Sequence, residues 1–234
     1  MEPLKKVYDA YTGNLIPKNV FELINKRFSL VLEGISRIER ASGITFPIRY
    51  VEPSIVLSST TNSFEYGILF ARTIPIFSEN SIQIIIQISA PLVAFGLKGT
   101  IHAILAHEFL HYLELVSRLS KMNIISDEIS GNLFENVYSD YTRLFEPNSV
   151  FDDKTLVQHI TKRFPSGFRD YKLEDKVLNF WIEKNLPTSK ITLDTNIVKL
   201  NAESLSKLQI NSALVKKLEQ IQIKNSRIRK RKIY

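Results

Sequence analysis

Ala106-His107-Glu108-Phe109-Leu110-His111-Tyr112-Leu113 is the stretch on which the reading of this 234-residue chain turns. It lies inside an apolar run without proline, and Gly99-Thr100 just before it offers a cap, so a helix is predicted over about residues 101–119. His107 and His111 are four residues apart and leave the same helix face about one turn from each other. Two neutral imidazoles at that spacing can hold Zn²⁺ without any rearrangement of the backbone. Glu108, beside the first of them, is placed to take a proton from a water that the metal has acidified. Burying two His and a Glu in a helix this apolar without a compensating partner would be costly, so a metal site is favoured over a helix with incidental histidines.

Outward from the motif, the N-terminal side reads as one helix followed by strands. Phe21, Ile24, Phe28, Val31, Leu32, Ile35 and Ile38 recur at helical spacing, which predicts a helix over 19–41 with Gly43 as its left-handed stop. Three strand-like runs follow: 45–57, interrupted by Pro47 and Pro53; 64–77; and Ser81–Ser89, with Ile82, Ile84, Ile85, Ile86 and Ile88. On the C-terminal side, helical patterns at 127–145, 153–164 and 172–185 are separated by Glu146-Pro147-Asn148 and Pro165-Ser166-Gly167. A strand over 190–200 and a last helix over 202–223 complete the reading. The expected organisation is an α/β part over 1–120 that carries the motif helix, a mainly helical part over 121–223, and a basic tail over 224–234.

Composition narrows the chemistry. The chain has no Cys, which excludes a disulfide scaffold, thiol catalysis and Cys-ligated zinc or iron–sulfur clusters, and leaves His and carboxylates as metal ligands. Ordinary hydrophobic and charged fractions exclude a mainly disordered chain. The N-terminus lacks the apolar run of a secretory signal, and the most apolar region, 82–97, is too interrupted to span a bilayer, so a cytoplasmic location is expected. The net charge is +7, but six of those charges fall in 224–234, where no acidic residue occurs. That segment suits a phosphate backbone or another anionic surface and makes RNA or ribosome contact the alternative functional reading.

The His-Glu-x-x-His pattern on its helix, with a helix and strands ahead of it, resembles the zincin metallopeptidase superfamily over about residues 19–119. The resemblance implies an α+β, zincin-like fold with a small mixed sheet, zinc as cofactor, a peptide or protein as substrate, His107 and His111 as ligands and Glu108 as general base. It also implies a sheet edge along which the substrate lies, for which Ser81–Ser89 is the candidate. The metzincin branch would need Gly and His where this chain has Glu114 and Ser117, so the gluzincin branch fits better. Gluzincins draw a Glu from a following helix, commonly about 19–25 residues after the second His. Glu135, 24 residues beyond His111, is the favoured third ligand, ahead of Glu128, 17 beyond, and of others such as His159 and Asp140. The Asp that often follows the ligand Glu by four residues is replaced here by Ser139, with Asp140 next to it. Tyr138, Tyr141, His159 and Tyr171 are the candidates for stabilising an oxyanion, and His102 projects away from the motif face.

Overall fold

The computed structural model describes residues 2–59, 66–78, 81–120, 145–164, 168, 170–192 and 211–233. Helix α1 (Lys5–Thr12) leads into α2 (Lys18–Ser42). Helix α2 buries Ile24, Phe28, Val31, Ile35 and Ile38 of the stripe its spacing predicts, leaves Phe21 half-buried and Leu32 exposed, and stops at Gly43. Gly43 has a φ of 62° and donates its N–H to the Glu39 carbonyl at 2.7 Å, the left-handed cap that glycine adopts without penalty.

Strands β1 (Arg49–Glu52), β2 (Ile55–Ser59), β3 (Tyr66–Leu69), β4 (Ala71–Ser78) and β5 (Ser81–Ser89) form two small sheets together with β6 (Thr188–Thr192). The first has the order β1-β5-β4, parallel between β1 and β5 and antiparallel between β5 and β4. The second has the order β3-β2-β6, antiparallel and then parallel. The fold is thus α+β with mixed sheets.

One expectation is overturned here. Ser81–Ser89 is the central strand of its sheet, paired on both sides, and β4 has a single strand neighbour among the described residues. The physical reason stands in the two sequences. Ile85 to Ser89 of β5 are buried without alternation, as in a strand covered on both faces. Strand β4 contains Pro75, which lacks an N–H to donate and is tolerated at a sheet edge.

Strand β5 runs directly into α3 (Ala90–Phe95), whose N-terminus is capped by Ser89. Helix α4 (Lys98–Ser120) follows and carries the motif. Next come α5 (Pro147–Val150), α6 (Lys154–Arg163), capped by Asp153, and α7 (Tyr171–Val177), which continues into a wider turn over Leu178–Ile182. Helix α8 (Ser212–Ile233) is the last element. It incorporates 224–233, so the basic segment expected as a separate tail is the C-terminal half of a helix.

The parts expected on either side of residue 120 share one core. A single cluster of buried apolar side chains extends from Val7 through Phe109 and Trp181 to Ile221, and β6 pairs with β2. Helix α4 is its axis: every residue from Thr100 to Ser117 is buried except half-buried Tyr112. Polar ties hold the neighbours of α4 in place. Arg37 of α2 forms a two-pronged ion pair with Asp153 at the start of α6, at 2.7 and 2.9 Å. Thr100 donates to Asp170 at 2.7 Å and accepts from Arg163 at 2.9 Å. Among the described residues, no helix is long and apolar enough to cross a membrane.

Candidate metal centre

Helical periodicity places His107 and His111 one above the other, and the two rings turn their Nε2 atoms toward each other at 2.9 Å. Both are buried, at 5% exposure each. The His107 ring lies flat on Phe164, at the end of α6, with centroids 3.8 Å apart and planes 4° from parallel. That stacking fixes the ring plane from outside the motif. A tetrahedral ion with Zn–N bonds of about 2.0–2.1 Å would hold the two nitrogens about 3.3 Å apart, so the pair needs to open by only about 0.4 Å to embrace one. The geometry fits two ligands of a zinc site.

Glu108 is buried and turned toward the sheet. The Thr73 hydroxyl of β4 donates to the Glu108 backbone carbonyl at 2.9 Å and lies at the same distance from Oε2 of its carboxylate. A single side chain of β4 thereby locks the strand to the motif helix and fixes the carboxylate's rotamer. Glu114, buried at 2% exposure, has Oε2 at 3.9 Å from Nδ1 of His111. That nitrogen is on the opposite side of the ring from Nε2, so Glu114 flanks the imidazole away from the face that meets His107. Ser117 accepts a 2.6 Å hydrogen bond from Gln222 of α8, which ties the end of α4 to the last helix.

His107, Glu108 and His111 open onto a cleft of about 160 Å³ between α4 and the 68–72 stretch where β3 passes into β4. Ile104, Phe164 and Phe168 give it an apolar wall. Aromatic walls and a few convergent polar groups are the usual make-up of a ligand site.

The remaining candidates are distributed elsewhere. Glu135 and Glu128, with Tyr138, Ser139, Asp140 and Tyr141, lie outside the described residues. Among the described ones, no third His, Asp or Glu completes a metal-binding group with the two histidines. His159 stands beside Arg163 and Gly99, Tyr171 is 70% exposed, and neither lines the cleft. Burial and the Arg163 charge lower the His159 pKa. His102 faces α2, where its Nε2–H donates to the Leu30 carbonyl at 3.2 Å and its ring lies against Gly34. Burial and the Arg37 charge hold that imidazole below its usual pKa. A larger groove of about 520 Å³ opens on that side of α4; of its three cations, Arg37 and Lys98 pair with Asp153 and Glu33, and Arg40 donates to the Ser36 carbonyl of its own helix.

Sequence reasoning missed Thr73, Glu114 and Phe164. Pro75, as an edge marker, could have pointed to β4 as the strand beside the motif. Nothing local distinguishes Thr73, whose partner is 35 residues away. Compared with known proteins, the chain matches no family model, no curated protein and no solved structure.

Proposed function

We propose that this protein is a zinc-dependent metallopeptidase built on a zincin-like plan, with His107, His111 and Glu135 as the metal ligands and Glu108 as the general base. The observation that carries the reading is the convergence of the two Nε2 atoms at 2.9 Å, in a cleft that also receives the Glu108 carboxylate. Zinc bound there supplies Lewis acidity, polarising a carbonyl oxygen and lowering the pKa of water toward neutrality.

The chain's own groups supply the rest. A peptide added beside β4 would satisfy that strand's outer N–H and C=O groups, as an extended ligand does at any sheet edge. The Thr73 contact brings β4 to Glu108, so the peptide would run alongside the carboxylate. Glu108 takes a proton from the attacking water as oxygen bonds to the carbonyl carbon. It then passes that proton to the nitrogen as the C–N bond breaks, leaving a carboxylate and an amine. Phe164 and Phe168 keep bulk water from the reacting groups, and Glu114 holds the His111 ring in its plane.

The test joins metal content to a single substitution. Protein purified from zinc-replete cells is expected to contain one zinc per chain and to cleave a quenched fluorescent peptide library. Glu108→Gln should keep the zinc and lose about 10²–10⁴-fold in rate, the contribution of a positioned proton acceptor. Zinc-free protein, or a Glu108→Gln variant as fast as the wild type, would overturn the proposal.

A further inference from the structure

The basic segment has a geometry that the motif does not use. Helix α8 is anchored by residues up to Asn225: Lys217 donates to the Gly43 carbonyl, Gln222 to Ser117, and Asn225 accepts from the Glu146 backbone N–H. Its buried residues are Leu218, Ile221 and Asn225. From Ser226 to Arg231 every described side chain is exposed except half-buried Ile228. At about 100° per residue, Lys224, Arg227, Lys230 and Arg231 fall within an arc of about 120° on the side away from the Leu218–Asn225 seam. Among the described residues none of these four has an acidic partner, and the last acidic residue of the helix is Glu219.

A helix does not need this arc for its own sake. Cations near a C-terminus offset the macrodipole, but that effect reaches only the last turn, and Lys224 and Arg227 precede it. Like charges three and four residues apart, as in Lys224–Arg227, Arg227–Lys230 and Arg227–Arg231, oppose the helix. They become favourable when a polyanion lies along the arc. A membrane-surface helix would set an apolar face beside its cations, whereas Leu218 and Ile221 of α8 are spent on the core and Ile223 alone is a large exposed apolar side chain within the arc among the described residues. Guanidinium groups one turn apart match phosphate oxygens in a two-pronged fashion.

We propose that the outer face of α8, Lys224–Arg231, binds the phosphate backbone of a nucleic-acid duplex without reading its sequence. This face is independent of the metal centre, and its binding stands whether or not the chain is a peptidase.

Fluorescence anisotropy of the full chain with labelled 20-base-pair RNA and DNA duplexes tests it. The wild type is expected to bind both, with log K falling against log salt at a slope near −3.6, about 0.9 per neutralised phosphate for four contacts. The quadruple variant K224Q/R227Q/K230Q/R231Q keeps strong helix formers and should lose at least about ten-fold in affinity and most of that slope. Circular dichroism and Gln-substituted Lys26, Lys162, Lys172 and Lys176, four exposed lysines elsewhere, control for helix loss and net charge. Equal binding by the quadruple variant, or an equal loss in the control variant, would overturn the assignment. So would binding to vesicles of phosphatidylserine and phosphatidylcholine as tight as to the duplexes, which would make the face a membrane contact.

Discussion

Helices α4 and α8 are almost equally long, 23 and 22 residues, and they hold their charges in opposite ways. Helix α4 is surrounded by protein, yet it buries His102, His107, Glu108, His111 and Glu114. Helix α8 sinks one apolar seam into the core and leaves its cations outside. Exposed charges cost little and need no explanation from the fold, whereas a buried ionisable group costs several kcal/mol unless something answers it. In α4 several of them meet a polar group: His102 meets the Leu30 carbonyl, Glu108 the Thr73 hydroxyl, and the two motif histidines each other, with Glu114 at 3.9 Å behind His111. The difference separates a helix whose polar residues are held inside the fold from one whose charges face solvent.

That contrast can be broken experimentally, beginning where burial is deepest. Thr73→Val removes the hydroxyl that meets Glu108, leaving a buried carboxylate short of a donor. It should destabilise the fold by about 1–3 kcal/mol in urea melts. A cost under about 0.5 kcal/mol would mean that Glu108 is solvated after all.

Half-buried charge should give an intermediate value. Arg37 holds the Asp153 carboxyl down at about 2, below its ordinary 3.8. The sign follows from linkage: a depressed carboxylate pKa contributes stability that is complete above pH ~4 and lost as pH falls toward 2. Arg37→Ala should therefore cost about 1–2 kcal/mol at pH 6, after allowance for solvent screening, and almost nothing at pH 2. Chemical denaturation of both proteins across that range reads the difference, and a pH-independent gap would assign the loss to packing alone.

The smallest effect is expected on α8. Arg227→Gln should leave stability within about 0.5 kcal/mol of the wild type, because the side chain is exposed and without an acidic partner among the described residues. A loss above 1 kcal/mol would show that the outer face is structural and would erase the contrast with α4.

Local pattern revealed the long elements and missed what depends on distant pairing. The 19–41 stripe and the apolar run around His107 define helices because 3.6-residue periodicity is written in adjacent residues, and the structure extends them only to 18–42 and 98–120. Strand order is set by partners far along the chain, so the isoleucines of 81–89 marked a strand without marking its place. Their unbroken burial and the proline of β4 decide that it is central. The juxtaposition of the two histidines was readable because one helix carries both. Thr73, Phe164 and Glu114 could be assigned only once the chain was folded around that helix, and Glu135 remains outside the described residues.

The parallel pairing of β2 with β6 joins residues 55–59 to 188–192, about 130 positions later. Ribosomes add roughly 5–20 residues per second, so β2 is made on the order of 10 s before the strand that closes its sheet. The β1-β5-β4 sheet and the motif helix are complete in the first 120 residues and have no such wait. During synthesis the chain therefore carries a β2 edge still without its β6 partner after the motif helix has been made, an exposed edge of the kind that non-local pairing closes slowly.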